Sequence, residues 1–262
     1  LCHIEGRKPL GACRVCLVEV EGGRGLQASC SFPAADGMIV RTNTKRVHDA
    51  RKTVVELMLS AHRQECLTCV RSLNCELQDL SKRLGIQQNR EGAMPPEVVD
   101  TSSPSVVRDS GKCILCRRCV EVCQHVQGVA QLFPVDRGFD TVISPSAKKD
   151  LGETACVACG QCISACPVGA LREVSHIDRV WQAIADPDKH VIVQTAPAVR
   201  AAIGEEFGMP AGTLCTGKMV SGLRRLGFDK VFDTDFTADL TILEEGNEFL
   251  QRLQTGGTLP MI

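Results

Sequence analysis

The sequence has 262 residues, of which 44% are hydrophobic, and this length allows two or more compact domains. Its formal net charge of −1 gives no electrostatic reason to expect binding to nucleic acid or to a membrane surface, and no apolar run reaches the length of a membrane span. Sixteen cysteines are the unusual feature; their spacings are those of metal-ligand runs rather than of a disulfide-bonded secreted domain, which predicts a reducing compartment, the cytoplasm.

The cysteine spacing within residues 1–46 predicts a [2Fe–2S] ferredoxin-like domain. Its expected ligands follow the pattern C-x10-C-x2-C-x13-C and are Cys2, Cys13, Cys16 and Cys30. This spacing is close to that of the plant-type [2Fe–2S] loop, although the first gap is longer than in that type. Residues 17–20 and 38–41 read as short strands. We therefore expect a small β-grasp-type unit whose opening strands are missing from this sequence.

Residues 47–90 predict a small helical domain that carries a second kind of metal site. Apolar residues at helical spacing run from 47 to 61. The pattern H-x3-C-x2-C-x5-C follows, with His62, Cys66, Cys69 and Cys75 as ligand candidates. Neutral imidazole can replace a thiolate on iron, so this set predicts a [4Fe–4S] cluster with one histidine ligand. The alternative is a single zinc ion in a Cys3His site.

Residues 89–110 are rich in Pro, Ser, Asp and Gly and predict a linker at a domain boundary. The domain that we assign to residues 91–186 contains the run C-x2-C-x2-C-x3-C twice. The first run is Cys113, Cys116, Cys119 and Cys123, and the second is Cys156, Cys159, Cys162 and Cys166. Zinc sites use separated ligand pairs around one ion instead. Between the runs, residues 131–135 and 141–144 predict a hairpin.

In bacterial ferredoxins the fourth cysteine of such a run binds the other cluster. We therefore expect one [4Fe–4S] cluster on Cys113, Cys116, Cys119 and Cys166, and a second on Cys156, Cys159, Cys162 and Cys123. Fifteen cysteines and His62 then divide into four complete ligand sets, for one [2Fe–2S] and three [4Fe–4S] clusters.

Residues 187–262 predict the start of an open α/β domain. Strands are expected at 191–193 and 230–233, and helices at 198–207, 217–226 and 238–254. In such folds chemistry lies beyond the carboxyl ends of the strands, where the loop 195–198 falls. Cys215 is expected to be a buried small hydrophobic residue. The fold class predicted for the whole chain is α+β.

The assembled order of motifs resembles the modular iron-only (FeFe) hydrogenases. The resemblance rests on G-A-C-R-V-C-L-V-E-V, the His62 set, the two ferredoxin runs and the segment Q-T-A-P-A-V-R at 194–200. It implies that Ala196, Pro197 and Ala198 line the pocket of the H-cluster. By motif match it also implies that Glu245, Glu248 and Arg252 convey protons, and that Met261 lies near the diiron site. Without the resemblance, the charged residues of this helix would be read as a solvated face.

The chain departs from that family after residues 259–262, where a Thr-Ser-Cys segment with the first H-cluster cysteine is expected. We therefore expect the H-cluster only in a longer parent protein, and this sequence to be catalytically incomplete. The resemblance implies reversible H2 oxidation in a hetero-oligomeric, anaerobic complex, with a ferredoxin or an NAD(P)H-oxidising flavoprotein as redox partner. The modules before Pro167 also resemble the large subunit of respiratory complex I and some formate dehydrogenases. A non-catalytic relay subunit or a hydrogenase-like redox sensor is thus the alternative.

Overall fold

The structure is a computed structural model that describes residues 1–87, 92 and 97–261. It divides into two compact units, Leu1–Val174 and Ser175–Ile262. Helices and small sheets are mixed in both, which agrees with the predicted α+β class. Among the described residues, no helix has the length and hydropathy needed to cross a bilayer. The division of the chain into four domains stays a prediction.

The first unit begins with a three-stranded antiparallel sheet in the order β2-β1-β3. Its strands are β1 (Leu17–Val20), β2 (Leu26–Ala28) and β3 (Val40–Arg41). Val18 and Ala28 are buried because alternate residues of a strand face the core. The predicted strand 17–20 therefore forms as expected, and the second predicted strand is shorter than expected.

Helix α1 (Lys45–Ser60) follows this sheet and leads to His62. The Thr44 hydroxyl accepts a hydrogen bond from the Val47 N–H at 3.2 Å and so caps the helix start. Val47 and Val55 are fully buried on its inner face. The Arg51 guanidinium donates to the Leu17 carbonyl at 2.6 and 3.0 Å, which fixes α1 against β1.

Helix α2 (Glu76–Arg83) starts directly after Cys75 and buries Leu77. Beyond it, the predicted linker over 89–110 is wrong for the residues from 97 onward, while 88–91 and 93–96 lie outside the described residues. Strands β4 (Val99–Asp100) and β5 (Val106–Asp109) occupy this stretch. They form an antiparallel sheet with β8 (Leu171–Glu173), in the order β4-β5-β8. Composition suggested a loop, but the partner strand lies beyond both cysteine runs, where local patterns cannot reveal it.

The two cysteine runs have matching local structure. Each contains a short helix, α3 (Arg118–Glu121) in the first run and α4 (Gln161–Ala165) in the second. The residue before each helix is left-handed, with φ of 65° at Arg117 and 72° at Gly160. Between the runs, β6 (Phe133–Val135) and β7 (Val142–Ser144) form the predicted antiparallel hairpin.

The second unit contains the predicted alternation of strands and helices. The helices are α5 (Ile177–Ala185), α6 (Val199–Ala202), α7 (Thr216–Leu226) and α8 (Thr234–Thr255). Strands β9 (Ile192–Gln194) and β10 (Lys230–Phe232) pair in parallel. Helix α8 starts four residues earlier than predicted, because the Asp233 carboxylate accepts from the Phe236 N–H at 2.9 Å and caps it there.

Candidate metal centres

One cavity of the first unit is lined by four cysteines from two separate runs. Three come from the first run and the fourth from the second, and they are Cys113, Cys116, Cys119 and Cys166. The other walls are mainly apolar and include Ile143, Val168 and Leu171. Cys119 lies on α3, and Cys166 directly follows α4. The cavity therefore gathers the first set expected from the sequence. We call it the central set.

The central thiols lie in surroundings that oppose ionisation. Burial is the main cause that raises the pKa of Cys113 to about 12 and of Cys116 to about 11. Burial also raises the pKa of Cys119 and Cys166. The charges of the other set members add to this at Cys113, Cys116 and Cys119. Such thiolates need a nearby cation, and a coordinated metal deprotonates a thiol outright.

The four cysteines of the second expected ferredoxin set also lie close to one another. Burial is the first cause that raises the pKa of Cys162 to about 12, and the next three are the charges of Cys123, Cys156 and Cys159. Cys123 belongs to the first run by sequence, yet its charge raises the pKa of Cys162 in the second run. Its sulfur also accepts a hydrogen bond from the Gln131 N–H at 3.3 Å. We call these four residues the second cubane set.

A separate cavity is lined by all four members of the histidine set, His62, Cys66, Cys69 and Cys75. The His62 side chain is half-buried, and its buried Nδ1 atom has no hydrogen-bond partner in the described part of the chain. Burial is the largest cause that lowers the pKa of His62, while a hydrogen bond with the Lys112 backbone opposes the shift. The imidazole is thus neutral, with a buried nitrogen left free, and this is the state in which histidine binds a metal.

The four amino-terminal cysteines also lie together. Cys2 and Cys13 are buried and pack against Cys116 of the central set. The pKa of Cys13 is lowered: burial, the largest cause, raises it, but hydrogen bonds with the Val15 and Cys2 backbones outweigh burial. The pKa of Cys30 is raised by burial first and then by Cys16, and the charge of Cys2 adds to the shift. We call these four residues the amino-terminal set.

No three His, Cys, Asp or Glu side chains of the described residues are placed to hold one single metal ion. In a [4Fe–4S] cluster each protein ligand binds a different iron atom, and in a [2Fe–2S] cluster each iron atom binds two of the four ligands, so no three ligands meet at one metal. The chemistry of the donors, four thiolates or three thiolates and one imidazole, fits clusters of this kind.

A wall one residue thick separates the histidine set from the central set. Cys166, Val168 and Ala170 line the central cavity, whereas Gly169 lines the cavity of the histidine set. A Cβ atom on Gly169 would lie 2.5 Å from the Cys69 sulfur, so only glycine fits there. Gly169 was not singled out from the sequence. Its position three residues after Cys166, in C-P-V-G, was the feature that could have indicated it.

The remaining predicted site residues lie in the second unit. Ala196, Pro197 and Ala198 follow β9 in an exposed loop, and Ala196 also lines an apolar cavity beside Cys215 and Met219. Cys215 is buried, as predicted.

The residues suggested for proton transfer lie on or after α8. Glu245 and Glu248 are exposed on this helix, and Arg252 forms an ion pair with Glu248. Met261 is half-buried near the end of the described chain. The roles of these residues stay predictions.

Comparison with known families assigns most of this chain. Residues 189–262 match the iron-only hydrogenase large subunit, C-terminal domain. The preceding modules match the 2Fe-2S iron-sulfur cluster binding domain at 5–45 and the 4Fe-4S dicluster domain at 112–170. Residues 51–90 match the NADH-ubiquinone oxidoreductase-G iron-sulfur binding region.

Two curated relatives are similar to this chain over most of its length. The NADP-reducing hydrogenase subunit HndD of Solidesulfovibrio fructosivorans is 54% identical over 92% of this chain and 42% of the relative. Iron hydrogenase 1 of Clostridium pasteurianum is 42% identical over 100% of this chain and 46% of the relative. The chain is therefore similar to iron-only hydrogenase subunits over most of its length.

The chain spans less than half the length of those two relatives. It also resembles a solved chain from the crystal structure of an NAD+-reducing [NiFe]-hydrogenase in the H2-reduced state. The TM-score is 0.63 and the identity 32%, over 67% of this chain and 74% of the other. The recognition made from the motifs is therefore confirmed at the level of the family.

Proposed function

We propose that this chain is the iron–sulfur electron-relay portion of an iron-only hydrogenase that catalyses the reversible oxidation of H2 to two protons and two electrons. The observation that carries the proposal is the cavity in which Cys166 joins Cys113, Cys116 and Cys119. Two distant runs contribute to one enclosed set of thiols, as a double-cluster ferredoxin requires. The family match at 189–262 supports the link to H2.

The proposed centres are the four sets described above. The amino-terminal set holds a [2Fe–2S] cluster, and the other three sets each hold a [4Fe–4S] cluster, one of them with His62 as a ligand. When bound, these clusters supply one-electron transfer. The chain holds their ligands in place, excludes water from the central cavity with apolar side chains, and keeps His62 neutral by burial.

The packing of the sets supports an order for the relay. Cys116 of the central set packs against Cys2 and Cys13. Gly169 alone separates the central set from the histidine set. The charge of Cys162 raises the pKa of Cys119, which joins the second cubane set to the central one. The central set therefore adjoins all three others, and the amino-terminal and histidine sets are the proposed entry points for electrons.

The proposed redox partner is a ferredoxin or a separate flavoprotein subunit that oxidises NAD(P)H, within a hetero-oligomeric complex. The name of the relative at 54% identity, an NADP-reducing hydrogenase subunit, supports the second choice. In the catalytic part we propose that Ala196, Pro197, Ala198 and Met261 line the H-cluster pocket. Glu245, Glu248 and Arg252 are proposed to convey protons to it. The proposed location of the complex is the cytoplasm.

A second candidate is a relay subunit of a complex I-like assembly that does not act on H2. The match of residues 51–90 to the NADH-ubiquinone oxidoreductase-G region favours it. The match of residues 189–262 to the hydrogenase domain favours the first candidate instead.

The test has two parts. The chain, reconstituted anaerobically, is expected to bind about 14 iron atoms, two in the [2Fe–2S] cluster and four in each of the others. About ten iron atoms with one zinc would show that the His62 set binds zinc. The protein at its full encoded length is expected to evolve H2 from a reduced dye. Full iron content without H2 evolution would favour the complex I-like relay or the sensor.

A further inference from the structure

Arg71 lies between two of the candidate cluster sites and belongs to no ligand set. Its side chain lines the cavity of His62, Cys66, Cys69 and Cys75. Its Nη2 donates a hydrogen bond to the Ile163 carbonyl at 2.9 Å. Ile163 lies on α4, three residues before Cys166 of the central set. The side chain thus ties the loop that carries Cys69 and Cys75 to the helix that leads to Cys166.

The guanidinium of Arg71 also lies close to the central set. The Ile163 carbonyl that accepts from Arg71 also accepts a hydrogen bond from the Cys166 N–H, at 3.1 Å. One carbonyl group therefore joins Arg71 to the backbone of Cys166, while the arginine side chain lines the cavity of the histidine set.

Nearby cations differ from Arg71 in how their charge is balanced. Arg63 pairs with Glu97 at 2.6 Å, and Arg118 pairs with Glu76 at 2.5 Å. For Arg71, no carboxylate of the described chain lies within 4.0 Å. A cation that no carboxylate neutralises exerts its full field on neighbouring anionic groups, and this field is strong where water is excluded.

We propose that Arg71 is a positioning residue shared by the histidine set and the central set, and that its charge makes both centres easier to reduce. The inference rests on the proposed function. Reduction adds one electron to a centre and makes it more negative, so a nearby cation favours the reduced form. A cation between the two sets acts on both potentials at once.

The test is an anaerobic redox titration of the reconstituted full chain, followed by EPR, for the wild type, Arg71→Gln and Arg71→Lys. Arg71→Gln removes the charge and is expected to shift the midpoint potentials of both centres to more negative values, with unchanged iron content. Arg71→Lys keeps the charge and should show a smaller shift. The matched control is Arg83→Gln on α2, whose side chain is 72% exposed and pairs with Asp79, and it should leave both potentials unchanged.

Each outcome decides the inference. Wild-type potentials in Arg71→Gln with full iron content would overturn it. If Arg71→Gln loses iron, recovery of the iron and of both potentials in Arg71→Lys would support it. Failure of Arg71→Lys to recover the iron would overturn it, because the shape of the guanidinium and not its charge would then be required. Absence of iron from the wild-type sets would instead refute the proposed function, whatever Arg71 does.

Discussion

His62 differs from the other ligand candidates because it carries no charge when it binds a metal. Burial is the main cause that lowers its pKa, so the ring stays neutral at neutral pH. Its buried Nδ1 has no hydrogen-bond partner among the described residues. Leaving such an atom unpaired costs about 1–3 kcal/mol, and coordination to iron would offset this cost.

Replacement of His62 by cysteine tests its role as a ligand. The variant His62→Cys is expected to keep the iron content and to lower the midpoint potential of its centre, since a thiolate adds a negative charge that the neutral imidazole lacks. An EPR-monitored redox titration measures this potential. An unchanged potential would mean that residue 62 does not touch the cluster.

Gly169 lies between the cavity of the histidine set and the cavity of the central set. In Gly169→Ala the new Cβ would lie 2.5 Å from the Cys69 sulfur, and Cys69 cannot turn away without leaving its ligand position. We expect the loss of about four iron atoms per chain, as measured by a colorimetric iron assay. The control is Gly222→Ala on α7, where no atom lies within 4 Å of the added Cβ. Full iron content in Gly169→Ala would contradict the proposed tight packing.

The grouping of the candidate ligands was predictable from the sequence, but the residues that surround them were not. Ligand spacing is a local pattern, so the sequence alone was enough to assign Cys113, Cys116 and Cys119 to one site. The roles of Gly169 and Arg71 depend on contacts between segments that are far apart in the chain. Neither residue type has a preference that would indicate such contacts.

At the scale of elements, the proposed ligand sets exchange one cysteine between the two runs, near the ends of α3 and α4. Helix α4 ends at Ala165, and the following Cys166 lines the central cavity, whereas Cys123, which follows α3, lies beside Cys162. This exchange explains why the two runs cannot separate without loss of both proposed centres.

Matched alanine variants can test this exchange. Cys166→Ala is expected to alter the same EPR-detected centre as Cys113→Ala, because both residues line the central cavity. Cys166→Ala should not change the EPR signal of the centre that Cys162→Ala alters. If Cys166→Ala instead matched Cys162→Ala, each run would hold its own cluster and the exchange would be wrong.

Strands β4 and β5 contain a buried ion pair that supports the central cavity. Arg108 pairs with Asp100 at 3.3 Å and donates to the Ile143 carbonyl at 3.1 Å. Asp100 also accepts from the Leu151 N–H at 2.8 Å. Asp100→Ala is expected to lower the free energy of unfolding by about 3–5 kcal/mol, because it leaves the buried Arg108 without its counter-charge. Anaerobic urea unfolding measures the loss.

The control for this prediction is Asp49→Ala, which removes an exposed ion pair with Lys45. Exposed ion pairs contribute little to the free energy of unfolding because water and salt screen the two charges. An equal loss of stability in both variants would show that the burial of the Asp100 pair is unimportant.

The accuracy of the sequence reasoning differed among elements for a physical reason. The helix expected at 47–61 lies at Lys45–Ser60, and the expected hairpin forms as β6 and β7. Both depend on local signals, namely helical spacing of apolar residues and a turn with residues that tolerate positive φ. The sheet of β4, β5 and β8 was missed because its strands pair across the two runs, where no local signal exists.

At the scale of the whole molecule, the two units differ in what fills their interiors. The main core of the first unit includes Cys119 and Cys166 beside Leu132, Leu151 and Val106. The sequence of the second unit has one cysteine, Cys215. The first unit should therefore depend on bound metal for stability, and the second should not.

Removal of iron by an anaerobic chelator tests this difference in the full chain. We expect the amides of α1 and β5 to lose protection from hydrogen exchange, since the proposed clusters hold the surrounding loops together. The amides of α7 in the second unit should keep their protection. Equal loss of protection in both units would contradict the prediction.

The position of Cys166 in the cavity of the first run has a consequence for biosynthesis. A nascent chain that has reached only Cys123 offers the central cavity three of its four thiols. With the proposed ligand sets, neither ferredoxin centre can be completed until the second run has been synthesised. Iron loading of the two proposed ferredoxin centres must therefore follow translation of both runs. A polypeptide that ends between the runs would lack both of these centres, although it would contain the complete amino-terminal and histidine sets.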